Sequence, residues 1–480
     1  MAEFVSSLLI FPPEKQVSAK EFDKQATEYV KNLGKVPEAN WLKHVNKQNI
    51  LELLNPAVNS LPYLVALYTQ WSAAGKDRAR HEAACNHSIM FFSSFDPIQI
   101  RYAGEHFRCV LEIAFETYPQ LGVQDFTPLS TAILRLDPTS GTFTSSHLRL
   151  LRLCMKAGAP SQALPILDKN IYAFPQTFPK ALPDESLCDD YELSSSYITN
   201  KSGFSVSLKS EYVLEYYLLG AQVYIGLRNY NRARLFLECC ILFPTLSGSC
   251  SALQTEAHKK WVLIGLLAQG KTYPLPRTHN QAVMKSLKSV GRSYDALAET
   301  FEKRDWRKFQ AEADAGTQIW QEDGNLRLVK EVSDALMRYR VIDLQKTYAT
   351  LPVSRVAKHL GSSTDATYKL LQDIFREGHI NASISGSASE AVLHFHLTSA
   401  ATTNTDDTLE AQAKRIEDLT SFIRDADRRL QLSKEYIDFA KRQKRGAAGP
   451  DGDLAEHMDL TWDPPIGDLD DDGDEDIMGA

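Results

Sequence analysis

Between Val341 and Leu397 the spacing of apolar positions changes period, and the change marks out a module. Met337, Val341, Leu344 and Tyr348 step by four, three and four, which places them on one helix face. Pro352 donates no backbone hydrogen bond and biases Leu351 toward an extended conformation, so a short strand is predicted there. Val353, Val356, Ala357 and Leu360 then share the face of a second helix, with Ser354 as its N-cap candidate. Gly361 is placed to end that helix in the left-handed region. A third helix follows, capped by Ser363 or Thr364, with Asp365 at the positive end of its dipole and Thr367, Leu370, Leu371 and Ile374 as its stripe. Past Gly378 the period falls to two. Ile380, Ala382 and Ile384 alternate with polar residues, Gly386 to Ser389 reverse the chain, and Ala391, Leu393, Phe395 and Leu397 alternate back. Helix, strand, helix, helix and hairpin in this order predict a winged helix.

Upstream, the first 55 or so residues carry several breakers and no more than a helical tendency. Leu61, Leu64, Val65, Tyr68 and Trp71 form a helix face that ends at Gly75, and an amphipathic run from Ile98 to Tyr118 follows. Two helical hairpins come next. The first runs through Leu148, Leu151 and Met155, turns at Gly158 to Pro160 and returns through Ala163, Ile166 and Leu167. The second runs through Tyr217, Gly220, Ala221 and Tyr224, turns at Gly226 to Tyr230 and returns through Ala233, Phe236, Leu237 and Cys240. Small residues where paired helices must approach resemble tetratricopeptide hairpins, and Ala163 and Ala233 lie 70 residues apart, about two such repeats. Phe174 to Ser210 is polar and rich in Pro, Ser and Asp, which predicts a long loop. Helices resume at Ala252, turn a corner at Pro274 and Pro276, and continue to the helix through Leu326, Val329 and Val332 that feeds the winged helix.

After Leu397 the stretch TSAATTNTDDT reads as a hinge into one long helix, Thr408 to Arg445. Leu409, Ile416, Ile423, Leu430 and Ile437 fall seven apart, with Leu419, Ala426 and Ala440 between them and Gln412 and Ser433 interrupting. Such a stripe suits a helix buried in a bundle supplied by other chains. The predicted fold is therefore mainly α, a right-handed tetratricopeptide-like solenoid ending in a winged helix, a long helix and a disordered tail. Its segments are 1–204 (repeats, with a polar loop near 174–204), 205–397 (repeats to about 325, winged helix about 326–397), 398–445 (hinge and bundle helix) and 446–480 (acidic tail).

The formal net charge of −8 changes meaning once it is divided. Residues 446–480 hold 12 of the 61 acidic residues and none of the 53 basic ones, which leaves the rest of the chain at +4. Seven cysteines without a CxxC spacing read as free thiols in a reducing compartment. No apolar run approaches the roughly 20 residues of a membrane span, and the N-terminal residues predict no secretory signal. His394 and His396, followed by Asn404 and Asp407, come within one substitution of a metalloisopeptidase zinc pattern. Both histidines fall on the polar face of a strand and Asn404 replaces the serine, so they read as exposed side chains. Asp468, Asp470, Asp472 and Gly473 open like a calcium loop, yet Gly479 stands where the bidentate Glu belongs. The third helix of the winged module has a net charge of −1 between Thr364 and Gly378, which argues against nucleic acid. Neither a catalytic constellation nor a metal or cofactor site is predicted. Lys441, Arg442, Lys444 and Arg445 place cations at the negative end of the last helix and double as a candidate nuclear-import cluster.

Four segments carry a family resemblance: YYLLGAQVYIGLRNYNRARLFLECCI at Tyr216 to Ile241, DGNLRLVKEV at Asp323 to Val332, DLQKTYATLPVSRVAKHLG at Asp343 to Gly361, and FREGHINASIS at Phe375 to Ser385. They resemble the PCI family of scaffold subunits, found in the proteasome lid, the COP-nine signalosome and a translation initiation complex, and the signalosome members above all. The likeness covers about Ser205 to Leu397, with echoes back to about residue 90; the polar insertion and the acidic tail depart from it. It implies a non-catalytic subunit of a complex that removes a ubiquitin-like modifier from cullins, with the metalloisopeptidase carried by another subunit, and hence cullin-RING ligases as indirect partners in cytoplasm and nucleus. It also implies winged helices aligned edge to edge and terminal helices gathered in a bundle. The corresponding interface residues here are Ile380, Ile384 and Leu393 of the wing, and Leu409, Ile416, Leu419, Ile423, Leu430 and Ile437 of the last helix. The competing readings are a PCI subunit of the proteasome lid or initiation complex, a winged-helix nucleic-acid binder and a metal-dependent hydrolase.

Overall fold

A computed structural model describes residues 2–13, 18–45, 48–176, 186–191, 193–244, 249–276, 278–376, 380, 382–386 and 391–396, and scattered positions from 409 to 439. The helical tendency of the first 55 residues becomes α1 (Ala2–Leu8), α2 (Ala19–Leu33), α3 (Glu38–Trp41) and α4 (Ile50–Leu53). Ser18 caps α2, and Asn49 with Glu52 forms a capping box on α4. In α5 (Ser60–Ser72) the expected Leu61, Leu64, Val65 and Trp71 are buried and Tyr68 is half-buried.

Next comes α6 (Arg78–Ser94), a helix without a clear apolar stripe: it buries Ala84, Cys85, Phe91 and Phe92, but also Ser88, whose hydroxyl meets that of Tyr118 at 2.9 Å. The run from Ile98 to Tyr118 divides into α7 (Pro97–Ile100) and α8 (Gly104–Leu121). Its break falls where the later loop crosses, since a Cβ on Gly104 would lie 2.2 Å from the Ser202 carbonyl oxygen. The chain continues as α9 (Thr127–Leu136) and α10 (Ser145–Lys156). The return limb of the first hairpin is shorter than its apolar spacing predicts. It is a 3₁₀ turn at Pro160–Ala163 followed by α11 (Leu164–Leu167), because the chain is drawn into extended pairing of Ala173 with Thr142.

The polar stretch after Phe174 is irregular where described, with one 3₁₀ turn at Ser194–Ser196, but it is not a solvated loop. Tyr197, Ile198 and Phe204 are buried. The Tyr197 hydroxyl donates to the Leu136 carbonyl at 2.9 Å, and Arg108 donates to that of Gly203 at 3.0 Å. Arg101 donates to the carbonyls of Leu187 and Asp189 and stacks 4.2 Å over the Tyr197 ring. The segment is thus an integral covering of α7 to α9.

The second hairpin forms in full as α12 (Ser210–Gly226) and α13 (Tyr230–Leu242). Gly220 sets their approach: a Cβ there would lie 2.5 Å from the Phe236 ring. Then follow α14 (Ala252–Gln269), α15 (Gln281–Val290), α16 (Arg292–Glu302), α17 (Trp306–Ala315), α18 (Thr317–Glu322) and α19 (Leu326–Gln345). One apolar core runs from Leu8 to Leu336. The boundary between 204 and 205 therefore marks a change of sequence pattern and no break in packing.

The feeder helix and the first helix of the winged module are one helix. In α19, Val329, Val332, Ala335 and Leu336 join the repeat core, while Val341 and Leu344 are buried beyond it. Tyr348 lies past its end and is exposed, so it leaves the face predicted for it. The module continues as β1 (Thr350–Pro352), α20 (Val353–Leu360), α21 (Thr364–Arg376), β2 (Ala382–Ser385) and β3 (Val392–Phe395), in a sheet ordered β1-β3-β2. Pro352, rather than Ser354, occupies the N-cap position of α20, because Val353 already has helical backbone. Gly361 closes α20 at φ 74°, and the Ser363 hydroxyl caps α21 through the Ala366 N–H.

Candidate functional site

In the wing, β3 is central and β2 outermost. Leu393 and Phe395 point into the core, and Val353 N–H bonds the Ala391 carbonyl at 2.9 Å, which ties the base of β3 to the start of α20. Of the three wing residues assigned to an interface, Ile380 and Leu393 are buried in the chain's own core. They shape the sheet and offer no side chain to a neighbour. Ile384 is half-buried on β2, between the exposed Ser383 and Ser385. What an outermost strand presents is a row of backbone groups, the feature on which another strand can pair.

The second surface lies between residues 409 and 439. The described positions between 409 and 439 have helical backbone. Leu409, Ile416, Leu419 and Ile423 keep 60, 64, 52 and 57% of their surface exposed, against 0–3% for the core residues of α20. These four side chains of the predicted register are exposed. Leu430, Ile437, the Lys441, Arg442, Lys444 and Arg445 cluster, the hinge with Asn404 and Asp407, and the acidic tail lie outside the described residues.

His394 is half-buried on β3 and His396 is exposed, with its Nε2 3.0 Å from the Ser383 hydroxyl. Among the described residues no three His, Cys, Asp or Glu side chains stand close enough to share a metal ion. Among those residues no helix is long and apolar enough to cross a membrane either.

A cleft of about 900 Å³ opens where the α12–α13 turn, the end of α14, α19 and α21 meet, lined by Arg228, Tyr230, Glu331, Arg338, Leu370 and Asp373 among others. Sequence reasoning could not find it, because its walls come from segments about 140 residues apart. Its charges are largely spoken for. Arg228 holds Glu331 below the usual carboxylate range, Arg338 donates to the Leu267 carbonyl at 3.2 Å, and Asp373 pairs with Arg376 at 2.6 Å. Burial, with Glu331 nearby, pushes the Asp334 carboxyl up. Its lining comes from both the repeats and α21, and it presents no nucleophile beside a base among the described residues.

The family profile described as "COP9 signalosome complex subunit 3, N-terminal helical repeats" matches residues 22–283. The COP9 signalosome complex subunit 3 of Emericella nidulans is 32% identical over 382 residues, covering 75% of each chain. That of Neurospora crassa is 29% identical over 461 residues, 92% of each. The Dictyostelium discoideum protein is 24% identical over 441 residues, 90% of this chain and 96% of its own. The profile runs from within α2 to the start of α15, and the relatives carry the likeness over as much as 92% of the chain; the chain belongs to the COP9 signalosome complex subunit 3 family.

Proposed function

We propose that the chain is a non-catalytic scaffold subunit of a COP9 signalosome, the complex that removes a ubiquitin-like modifier from cullins and so regulates cullin-RING ligases. The observation that carries this reading is the exposure of Leu409, Ile416, Leu419 and Ile423 on a chain whose repeats match those of subunit 3. A stripe of large aliphatic side chains left in water at this regularity is stable only when other helices cover it. In the proposed arrangement, helix 408–445 enters a bundle of terminal helices, with Leu430 and Ile437 continuing the stripe. The outer strand β2 pairs with the wing of a neighbouring PCI subunit. The isopeptidase resides on a different subunit, so this chain contributes position and no chemistry. Lys441, Arg442, Lys444 and Arg445 serve nuclear import, which gives residence in both cytoplasm and nucleus.

Affinity purification of the tagged chain from its native cells, followed by mass spectrometry, tests the reading. The expected result is a stoichiometric set of signalosome subunits including the isopeptidase. Recovery of proteasome-lid or initiation-complex subunits in their place overturns it.

A further inference from the structure

Among the described residues, three other than glycine have a positive φ: Ser140, Arg228 and Arg304. The two arginines occupy the same point in the same kind of turn. At the end of α12, the Arg228 N–H bonds the Ile225 carbonyl at 3.0 Å and the Asn229 N–H that of Tyr224 at 2.9 Å. At the end of α16, Arg304 and Asp305 repeat the pattern on Phe301 and Thr300 at 2.9 and 3.2 Å. This paired-bond C-cap needs a left-handed residue, here at φ 61° and 58°, where a Cβ crowds the backbone and glycine is favoured. The chain does use glycine where the same turn ends α10 and α18, at Gly158 and Gly324. In both arginine turns the next residue caps the following helix, Asn229 through the Arg232 N–H and Asp305 through the Lys308 N–H, each at 3.2 Å. An aromatic comes third. The triplets Arg-Asn-Tyr at 228–230 and Arg-Asp-Trp at 304–306 are one turn built twice, with a side chain kept where the backbone prefers none.

Both side chains reach α19. Arg228 forks onto Glu331, one arm at 2.9 Å, and also donates to the Tyr230 hydroxyl at 3.1 Å. Arg304 donates through Nε to Asp343 at 2.8 Å and through Nη1 to the carbonyls of Gly270 and Phe301, both at 2.9 Å. Its guanidinium lies 5.2 and 5.3 Å from the centres of the Phe301 and Tyr339 rings. Glu331 and Asp343 are 12 residues apart, about 18 Å along the helix and about 120° around it. Glu331 sits beside the repeat core. Asp343 sits on the half of α19 that carries the winged helix, next to Arg340, which donates to the carbonyls of His359 and Leu360 at the end of α20.

We propose that Arg228 and Arg304 are two clamps that fix the angle of α19, and with it the winged helix, against the repeats. Each is an arginine retained at a glycine position because only a long forked donor can hold a carboxylate of α19 from a hairpin turn. Held from two sides, α19 presents the wing edge in one orientation, which spares a neighbouring subunit the cost of ordering it. That consequence for assembly rests on the scaffold reading; the clamp itself does not.

Hydrogen exchange of the full chain compares wild type with Arg228→Gly, Arg304→Gly and the double variant. Glycine suits both turns, so these variants keep the fold, and a thermal melt verifies it. Amides of residues 326–345 and 353–376 are expected to exchange roughly tenfold faster in the double variant, equivalent to about 1.4 kcal/mol of easier opening. Asp343→Asn is expected to reproduce the effect of Arg304→Gly and to add little to it. Unchanged exchange in the glycine variants, or full additivity of Asp343→Asn with Arg304→Gly, overturns the clamp. Purification of the tagged variants from cells reads the consequence, with reduced recovery of signalosome subunits expected for the double variant. Faster exchange with wild-type recovery overturns the assembly role. A wild-type chain that brings down no signalosome subunit sinks the scaffold reading instead, while exchange still decides the clamp.

Discussion

Replacing Ile416 and Ile423 together by Asp separates folding from assembly. Both lie on the predicted register and keep 64 and 57% of their surface exposed, so replacing them is expected to cost the isolated chain little. Exposed substitutions of this kind stay within about 0.5 kcal/mol, and the thermal midpoint of the double variant is expected within a degree or two of wild type. In a bundle the balance changes. Covering the exposed part of each isoleucine contributes on the order of 1–2 kcal/mol, and burying an unpaired carboxylate in its place costs several more. The sum is at least about 4 kcal/mol, or three decades in affinity. The assay is co-purification of tagged wild type and variant, beside thermal melts of both isolated chains. Full recovery of partners by the variant would falsify the register. Lost partners together with a lowered melt would show that the stripe packs on its own chain.

Other perturbations test other parts of the structure. Burial lowers the pKa values of His147 and His258 to about 4, from an ordinary 6.5. The unfolded chain therefore binds more protons between pH 6.5 and 4, so stability is full above that window and falls as pH drops through it. Denaturant unfolding should lose on the order of 2 kcal/mol per site between pH 7 and pH 5, and equal stability at both values would contradict the burial of these rings. Gly220→Val puts side-chain atoms into the Phe236 ring, 2.5 Å from where Cβ must go. The expected cost is about 1–3 kcal/mol, seen as a lower melting temperature. The isolated chain is expected to hydrolyse no ubiquitin-like conjugate and to retain no stoichiometric zinc; one zinc per chain by metal analysis, lost in His394→Ala with His396→Ala, would defeat the scaffold reading. It should also bind duplex DNA no more tightly than the usual micromolar non-specific range at physiological salt, and sub-micromolar binding would reopen the winged helix as a reader of nucleic acid.

What was legible in the sequence follows from how burial is distributed. Helix α20 has an unbroken apolar face, Val353, Val356, Ala357 and Leu360, and its end is fixed by a glycine at positive φ. Pattern and packing agree there, so the element can be read directly. In α6 they disagree: Ser88 is buried because Tyr118 satisfies it, while Met90 is 56% exposed, and no stripe survives for the eye to follow. The polar insertion misleads for a related reason. Its hydrogen-bonding groups are satisfied by Arg101 and Arg108, two side chains that lie about 90 residues upstream. At the candidate site the heptad on the last helix was readable, since its period owes nothing to tertiary structure. Which wing residues face outward was not. Alternation assigns Ile384 and Leu393 to one sheet face, but whether that face is covered depends on α20 and α21.

The long helix α19 explains why the repeats and the winged helix form a single continuous structure. A flexible joint between them would let the wing sample many directions, and each partner contact would have to pay for the lost freedom. Here Leu336 belongs to the repeat core and Val341, little more than one turn on, to the half beneath the wing, so no joint has room to form. Bending α19 between them would break backbone hydrogen bonds in a helix that is buried on both halves. The ion pairs of Glu331 and Asp343 then resist rotation about its axis as well. On the proposed scaffold reading the sheet edge docks first and helix 408–445 threads into a bundle afterwards, which predicts that deleting residues 398–480 leaves wing-edge pairing intact while abolishing stable incorporation. Pairwise pull-down of the truncated chain checks it, and loss of every contact on truncation would refute the order of assembly.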